Sequence, residues 1–157
     1  REREIFEKSP KIISRQTSNR LIMTLDDYRY YTRNSIHNIY PREETNLDCK
    51  YLLALLNSKL LNFIYIQTTQ ETGKVHPQVH ISDLKKLPVK NLKVKDQKPF
   101  VDLVEEILKI TKTADYLKNA EKQAKARDIE RQIDDTVYKL YGLNSEEIKI
   151  IEDSSKK

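Results

Sequence analysis

The chain has 157 residues, 34% of them charged, and its 29 Lys plus Arg against 24 Asp plus Glu give a formal net charge of +5. This length suits one domain with a core, or a small mixed domain with a helical extension, and disfavours two full domains. The mild positive charge permits a polyanionic partner without requiring one.

The cysteine content and the hydropathy pattern indicate a cellular compartment. The single cysteine, Cys49, can form neither an intramolecular disulfide nor a cysteine-rich metal site, which fits a reducing compartment. The longest apolar run, within residues 52–61, is interrupted by polar side chains and is too short for a membrane span. We therefore expect a cytoplasmic protein without membrane contact. The chain opens at Arg1 in a charged stretch, which suggests a segment of a longer polypeptide.

Residues 11–40 have a strand-like pattern that is rich in β-branched and aromatic side chains. It predicts two or three antiparallel strands, with turns at residues 17–19 and at Asp26-Asp27, where short polar side chains can bond to nearby backbone. The apolar and aromatic members of the pattern are Ile12, Ile13, Leu21, Ile22, Met23, Leu25, Tyr30, Tyr31, Ile36, Ile39 and Tyr40, with Thr32 among them.

A helix is predicted over residues 48–67, because its leucines recur at spacings of three and four. Asn46 or Asp48 can cap its first turn. After Gly73, a short extended segment alternates Val75, Val79 and Ile81 with polar residues. Pro77 places that segment at a sheet edge or a bulge.

Two long helices are predicted after a brief helical turn at residues 82–87. Pro99 suits the first turn of the first of them, whose apolar stripe runs from Phe100 to Leu108. The other spans about residues 115–141 and should pack against it as an antiparallel pair, with Ala120 and Ala124 permitting close approach.

The end of the chain carries helix-boundary signals. Gly142 suits a helix C-terminus, and Asn144 with Glu147 matches a capping box that starts a short last helix. Together these elements predict an α+β fold: a small antiparallel β region with a packed helix, followed by a C-terminal helical hairpin. We expect residues 1–97 to form a recognition region and residues 98–157 a helical spacer or docking region.

Signs of catalytic chemistry are weak. The three histidines, His37, His76 and His80, have no recognisable nucleophile context, and Pro77 argues against a helix that would align the last two as metal ligands. The chain has only two glycines, too few for a phosphate-cradling loop. The acidic-x-Lys triplet at residues 83–85 is expected by chance in so charged a chain. We therefore expect no catalytic, cofactor-binding or metal-binding residue.

A lysine-rich segment indicates nucleic acid as a partner. Residues 72–98 hold seven lysines against two aspartates, a local excess of 7 − 2 = +5. Lysines can neutralise phosphates, and His76, Gln78 and His80 offer donors and acceptors that suit base edges. Charge alone leaves a solvated lysine-rich loop as an equal alternative. The lysines are Lys74, Lys85, Lys86, Lys90, Lys93, Lys95 and Lys98.

A second candidate surface is the strand region, where basic and polar residues alternate with tyrosines. We expect about half of these tyrosines to pack within the sheet. The residues are Arg15, Gln16, Ser18, Asn19, Arg20, Arg29 and Arg33, with Tyr28, Tyr30 and Tyr31 between them.

Several segments carry a resemblance to a known family. YLLALLNSKLLNFIY at residues 51–65, the polar loop at residues 71–80 and HISDLKKLPV at residues 80–89 resemble the TaqI-like C-terminal specificity domain of N6-adenine DNA methyltransferases, as found in type IIG restriction-modification enzymes. PKIISRQTS and LDDYRYYTRNSIHNI are similar to the strands that precede this helix in the family. KPFVDLVEEILKI and ERQIDDTVYKLYGLNSEEIKIIE look like the helical end of those enzymes.

The resemblance implies a module that selects a site on double-stranded DNA, while a methyltransferase domain of the same parent chain modifies an adenine with S-adenosylmethionine. Such a domain carries an Asn-Pro-Pro-aromatic motif. None of the five prolines here has a proline neighbour, so catalysis is expected outside this chain, and no cofactor within it. Whether the parent also cleaves DNA stays open. The alternative is a helical protein-interaction or dimerisation scaffold without DNA binding.

The loops at residues 17–20 and 72–80 are expected to project toward the DNA groove. The predicted DNA-binding residues are Arg15, Gln16, Ser18, Arg20, Arg33, Lys74, His76, Gln78, His80, Lys85 and Lys86.

Overall fold

A computed structural model describes residues 3–69 and 75–155. Within them a three-stranded antiparallel sheet precedes a helical region, which confirms the predicted α+β class. The elements in chain order are α1 (Glu4–Glu7), β1 (Lys11–Arg15), β2 (Met23–Asp26), β3 (Ile36–Ile39), α2 (Cys49–Asn57), α3 (Lys59–Thr68), α4 (Ile81–Leu84), α5 (Val94–Thr111), α6 (Ala120–Tyr141) and α7 (Ser145–Ser154). None of the described helices is long and apolar enough to cross a membrane.

The sheet has the order β2-β1-β3, with β1 paired antiparallel to both neighbours. Ile12 pairs with Leu25 on one side and with Ile39 on the other, and its side chain is fully buried. The strands are shorter than the sequence pattern indicates. Tyr30 and Tyr31, predicted as part of a strand, lie in the loop between β2 and β3 because that loop must return along the sheet before β3 begins.

The helix predicted over residues 48–67 is two helices that meet at Ser58. Ser58 has an extended backbone, donates its hydroxyl to the Leu55 carbonyl and accepts the amide of Leu61 as the N-cap of α3. Short polar side chains compete in this way with the helical bonds of the backbone. At the other end, the predicted cap is confirmed, since Asp48 accepts the amide of Lys50.

The core lies where α2 packs between the sheet and α5. Tyr51 is fully buried, and its ring meets Phe100 edge-on with centroids 5.2 Å apart. Such a buried aromatic pair contributes about 0.5–1.5 kcal/mol beyond its buried area. The core also holds Ile129 and Val137 of α6, so residues on both sides of the predicted 97/98 boundary share it. That boundary falls within α5, and the division of roles between the two regions stays a prediction.

The start of α5 differs from the prediction. The helix begins at Val94, so Pro99 is its sixth residue and lies beyond its first turn. The sequence pattern did not reveal this start, because the residues just before Pro99 are polar and the one that faces the core is a glutamine. Gln97 is 1% exposed, accepts the amide of Asp48 at 2.8 Å and donates to the carbonyls of Asn46 and Leu92. Its buried polar atoms are thus satisfied.

The packing of α6 against α5 is confirmed, but the prediction that Ala120 and Ala124 permit their close approach is wrong. Ala120 and Ala124 are exposed, and Ala126 is the buried alanine. The helix begins at Ala120 with Asn119 as its cap, so Leu117 lies in a preceding 3-10 turn and is 84% exposed. The stripe therefore starts at Ala126 and continues through Ile129, at helical spacing.

The C-terminal boundary signals are confirmed. Gly142 has the left-handed φ of 71° that ends α6. Asn144 and Glu147 form the capping box of α7, with Asn144 accepting the amide of Glu147 at 3.0 Å and Glu147 accepting that of Asn144 at 2.8 Å.

A buried carboxylate joins α3 to α6 and α7. Asp134 of α6 accepts the amide of Lys59, the first residue of α3, at 2.9 Å. The Lys59 ammonium lies 2.7 Å from Glu152 of α7, which also accepts the Tyr138 hydroxyl. Burial raises the pKa of Asp134 from 3.8 to about 6.

This raised pKa predicts a pH dependence of stability. Between pH 3.8 and about 6 the folded state binds more protons at Asp134 than the unfolded chain, so the contribution of this group to the free energy of unfolding falls as the pH rises. Asp134→Asn keeps an acceptor for Lys59 and removes the ionisation. We expect the free energy of unfolding of the variant, relative to that of its parent, to be higher at pH 8 than at pH 4 by about 1–3 kcal/mol.

Urea unfolding at both pH values measures this gain. The matched control is Asp135→Asn, which alters an exposed carboxylate on the same helix and should give the same difference from the parent at both pH values. A difference between Asp134→Asn and the parent that does not change with pH would contradict the assignment.

Candidate nucleic-acid interface

Two loops that are far apart in sequence lie side by side. Residues 16–22 connect β1 to β2, and Thr17 forms an isolated antiparallel bridge with Gln78. The Ser18 amide donates to the Pro77 carbonyl at 3.1 Å, and the Val79 amide donates to the Gln16 carbonyl at 2.7 Å. We call residues 16–22 together with residues 75–80 the paired-loop surface. The segment around Pro77, predicted at a sheet edge or a bulge, makes only this isolated bridge outside the named strands, and these backbone bonds fix the two loops to each other.

Buried side chains hold the paired-loop surface from below. Val79 is fully buried, and its carbonyl accepts a hydrogen bond from His37 Nε2 at 2.7 Å. The Tyr65 hydroxyl of α3 donates to the Gln78 carbonyl at 3.2 Å. His37 is therefore a buried, hydrogen-bonded residue of the scaffold, while His76 and His80 are exposed.

Two asparagines hold the end of the 16–22 loop where it leads into β2. The Asn57 side chain accepts the Met23 amide at 3.1 Å and donates to the Met23 carbonyl at 2.9 Å. Asn62 accepts the Leu21 amide at 2.8 Å. The Met23 bonds lie on the edge of β2 that faces away from β1, where β2 pairs with no other strand among residues 3–69 and 75–155. The break at Ser58 separates the helices that carry the two asparagines.

An open groove of about 1630 Å³ runs between the paired-loop surface and α6. Arg15 and Arg20 line one wall, and Arg127 and Arg131 line the other, one helical turn apart. Arg131 is paired with Asp128, whereas no hydrogen bond or ion pair to the Arg15, Arg20 or Arg127 side chain occurs among the described residues. The side of the paired-loop surface therefore presents cations, whereas the α6 side mixes Arg127 and Arg131 with carboxylates, among them Asp128 and Glu130.

The sequence-predicted residues fall into three places. Seven of them lie on or beside the paired-loop surface: Arg15, Gln16, Ser18, Arg20, His76, Gln78 and His80. Arg33 lies in the loop before β3, two residues from Ser35, whose carbonyl accepts the Gln16 amide at 2.9 Å. Lys85 and Lys86 follow α4, and Lys86 pairs with Asp83 at 2.8 Å. Lys74, like the rest of residues 70–74, lies outside the described residues.

The lysine-rich segment is divided between two parts of the structure. Lys90 donates to the Leu140 carbonyl at 2.7 Å and lies 5.0 Å from the centroid of the Tyr141 ring. Lys98, within α5, pairs with Asp102 at 2.7 Å. These two lysines thus contact the helical region. Fewer of the seven lysines are then available to neutralise phosphates.

Sequence reasoning missed Arg127 and the two asparagines. A polar residue on each of two apolar helical segments was the available signal for Asn57 and Asn62. Arg127 had no such signal, because its position opposite Arg20 depends on how α6 packs against the core. The pattern of α6 predicts only which side faces inward.

The groups with catalytic potential are few. Burial raises the pKa of the Cys49 thiol to about 11, and its Sγ donates to the Pro10 carbonyl at 3.3 Å, so the thiol stays protonated at neutral pH. Within residues 3–69 and 75–155, no cluster of three or more His, Cys, Asp or Glu side chains is arranged to hold a metal.

Comparison with known proteins identifies the family. The model of the TaqI-like C-terminal specificity domain matches residues 1–89, which is more than half of the chain and includes both loops of the paired-loop surface. No curated protein matches the chain. The matched domain supports a role in the DNA sequence specificity of restriction-modification enzymes. The chain belongs to the TaqI-like C-terminal specificity domain family.

Proposed function

We propose that this chain selects the target site on double-stranded DNA through the paired-loop surface. The observation that carries the proposal is the backbone pairing of residues 16–22 with residues 75–80, because it brings Arg20, Ser18 and Gln78 together on one edge. In the major groove arginine makes paired hydrogen bonds to guanine, glutamine makes them to adenine, and serine can hydrogen-bond to either base. A fixed backbone keeps such side chains in register with successive base pairs.

The groove extends this proposal to α6. While the paired-loop surface reads the bases, the phosphates of the same duplex lie along the groove, where Arg127 of α6 faces the paired-loop surface from the other side. Arginine contacts to phosphates position a protein on DNA without reading sequence. The helical region then acts as a spacer or docking arm that also bounds the DNA.

The parent enzyme supplies the chemistry in this proposal. A methyltransferase domain of the same polypeptide binds S-adenosylmethionine and modifies an adenine at the selected site. The matched family supports this arrangement, since it is a C-terminal specificity domain. We assign no catalytic residue to the chain itself.

Salt-dependent binding of the chain to duplex DNA tests the proposal. The fluorescence anisotropy of a labelled 25-base-pair duplex, followed from about 50 to 200 mM salt, should give a logarithm of affinity that falls linearly with the logarithm of salt, by about 0.9 per phosphate contact. Selection from a random duplex pool should then enrich one sequence. A helical scaffold predicts no salt-dependent binding, and that result would contradict the proposal.

A further inference from the structure

The loop between β2 and β3 runs from one end of the sheet to the other. β2 ends at Asp26, opposite Lys11, whereas β3 begins at Ile36, opposite Arg15. The loop therefore travels the length of β1, about 13 Å for four strand steps. Its last residues meet the paired-loop surface, since Ser35 bonds to Gln16. Its first residues lie at the opposite end.

The first part of this loop is held rigidly from inside the protein. Asp26 is 1% exposed and lies 2.6 Å from the ammonium of Lys11, which is fully buried. The two oxygens of its carboxylate accept the amides of Tyr28 and Tyr30, each at 2.9 Å. Arg29 between them has a φ of 59°, a left-handed conformation that costs a non-glycine residue about 1–2 kcal/mol. The surrounding bonds stabilise this conformation.

The tyrosines of this loop face solvent. Tyr28, Tyr30 and Tyr31 are 68%, 58% and 62% exposed, so the expectation that about half of them pack within the sheet is wrong. The reason is that the loop leaves the sheet at Asp26. One face of Tyr31 stacks on Phe6 with centroids 5.1 Å apart, and the Lys112 ammonium lies 5.6 Å from the Tyr28 ring centroid. The Tyr28 and Tyr31 rings thus contact the protein on one side and are exposed to solvent on the other.

The exposed surface of the loop is positive. Asp27 is neutralised by Lys112 at 2.8 Å, as Asp26 is by Lys11. The Arg29 and Arg33 side chains have no hydrogen-bond or ion-pair partner in the described part of the chain. Residues 27–33 contain no aliphatic side chain, and with both aspartates neutralised the charges that remain on the loop are those of its two arginines.

We propose that Tyr28, Arg29 and Tyr30 form a second, sequence-independent contact to the phosphate backbone of the bound duplex. This inference rests on the proposed function. Arginine and tyrosine hydroxyls are regular donors to phosphate oxygens. The offset of about 13 Å along β1 exceeds half of the major-groove width of about 12 Å, so the loop lies outside the groove that the paired-loop surface reads, on the side of one phosphate backbone. Its rigid backbone lowers the entropy lost on binding.

Arg29→Gly and Tyr30→Phe test this contact in the intact chain. Glycine adopts a φ of 59° without strain, so Arg29→Gly removes the charge and preserves the loop. We expect it to weaken binding to the selected and to a random 25-base-pair duplex equally, by about fivefold to tenfold at 0.1 M salt, and to reduce the salt slope by about one. Tyr30→Phe should weaken both by a smaller factor without changing the slope.

The matched control is Lys149→Gln, which removes an exposed cation from α7 and should leave both affinities unchanged. If the parent binds with a salt-dependent affinity and Arg29→Gly behaves like Lys149→Gln, the phosphate contact is overturned while the proposed function stands. If Arg29→Gly changes the preferred sequence, the loop reads bases and the inference is wrong. If the parent shows no salt-dependent binding, both proposals fall.

Discussion

Replacement of Lys11 by methionine is expected to lower the free energy of unfolding by about 3–5 kcal/mol. Both partners of the Lys11–Asp26 pair are inaccessible to solvent, with the ammonium 2.6 Å from the carboxylate and 2.9 Å from the Phe6 carbonyl. Burial alone would raise the pKa of Asp26, but the hydrogen bond from Lys11 and those from the Tyr28 and Tyr30 amides hold it below its ordinary value. Methionine fills the space and leaves a buried carboxylate without its counter-ion.

Two further variants make the Lys11 result specific. Lys8→Met removes one partner of the exposed Lys8–Glu43 pair, which spans 3.3 Å, and should cost no more than about 1 kcal/mol. Lys11→Met combined with Asp26→Asn removes both charges and keeps one acceptor for the loop amides, so it should recover more than half of the loss. Urea unfolding measures all three. A Lys11→Met loss as small as that of Lys8→Met would contradict the role of this pair.

Gln78→Ala and Arg15→Ala are expected to change which DNA sequence the chain prefers. Each good bidentate contact to a base contributes about 1–3 kcal/mol of discrimination, or on the order of 10- to 100-fold at one base pair. Gln78 lies in the bridge to Thr17, and Arg15 is exposed at the end of β1, where it lines the groove. Selection from a random duplex pool, repeated with each variant, measures the loss of preference at individual positions.

Lys85→Ala and Lys86→Ala provide the comparison for these two variants. Both lysines lie just after α4, away from the bridge between the loops. Their loss should weaken binding to all sequences alike and reduce the salt slope by about one each. Lys86 should show the smaller effect, because Asp83 already neutralises part of its charge. An equal loss across selected and random duplexes for all four variants would contradict base reading by the paired-loop surface.

Local sequence signals predicted the parts of the fold that depend on neighbours in the chain. The strand pattern, the cap at Asp48, the end of α6 at Gly142 and the capping box of α7 are confirmed. The caps and the helix end depend on contacts within a few residues, and the strands on the local alternation of side chains. The break at Ser58 was missed because the leucine spacing continues across it. Its cause is a pair of polar side chains that bond to β2 and to the backbone.

The remaining misses depend on tertiary packing. Gln97 counts as a polar residue in a sequence pattern, yet it is buried and bonds to three backbone groups, two of them in the segment before α2. Ala126 is buried while Ala120 and Ala124 are exposed, because the rotation of α6 about its axis is set by how the whole helix packs. The two candidate loops were chosen from composition and their role stays a prediction, whereas the pairing of residue 17 with residue 78 required the three-dimensional fold.

The asparagines of α2 and α3 that bond to the edge of β2 have a consequence for how the molecule behaves at high concentration. An uncovered edge strand is a template on which a strand from another molecule can add, which leads to aggregation or domain swapping. Asn57 occupies both the amide and the carbonyl of Met23, and Asn62 occupies the amide of Leu21. These side-chain amides thus occupy backbone groups at the start of this edge to which a strand of another molecule would otherwise bond.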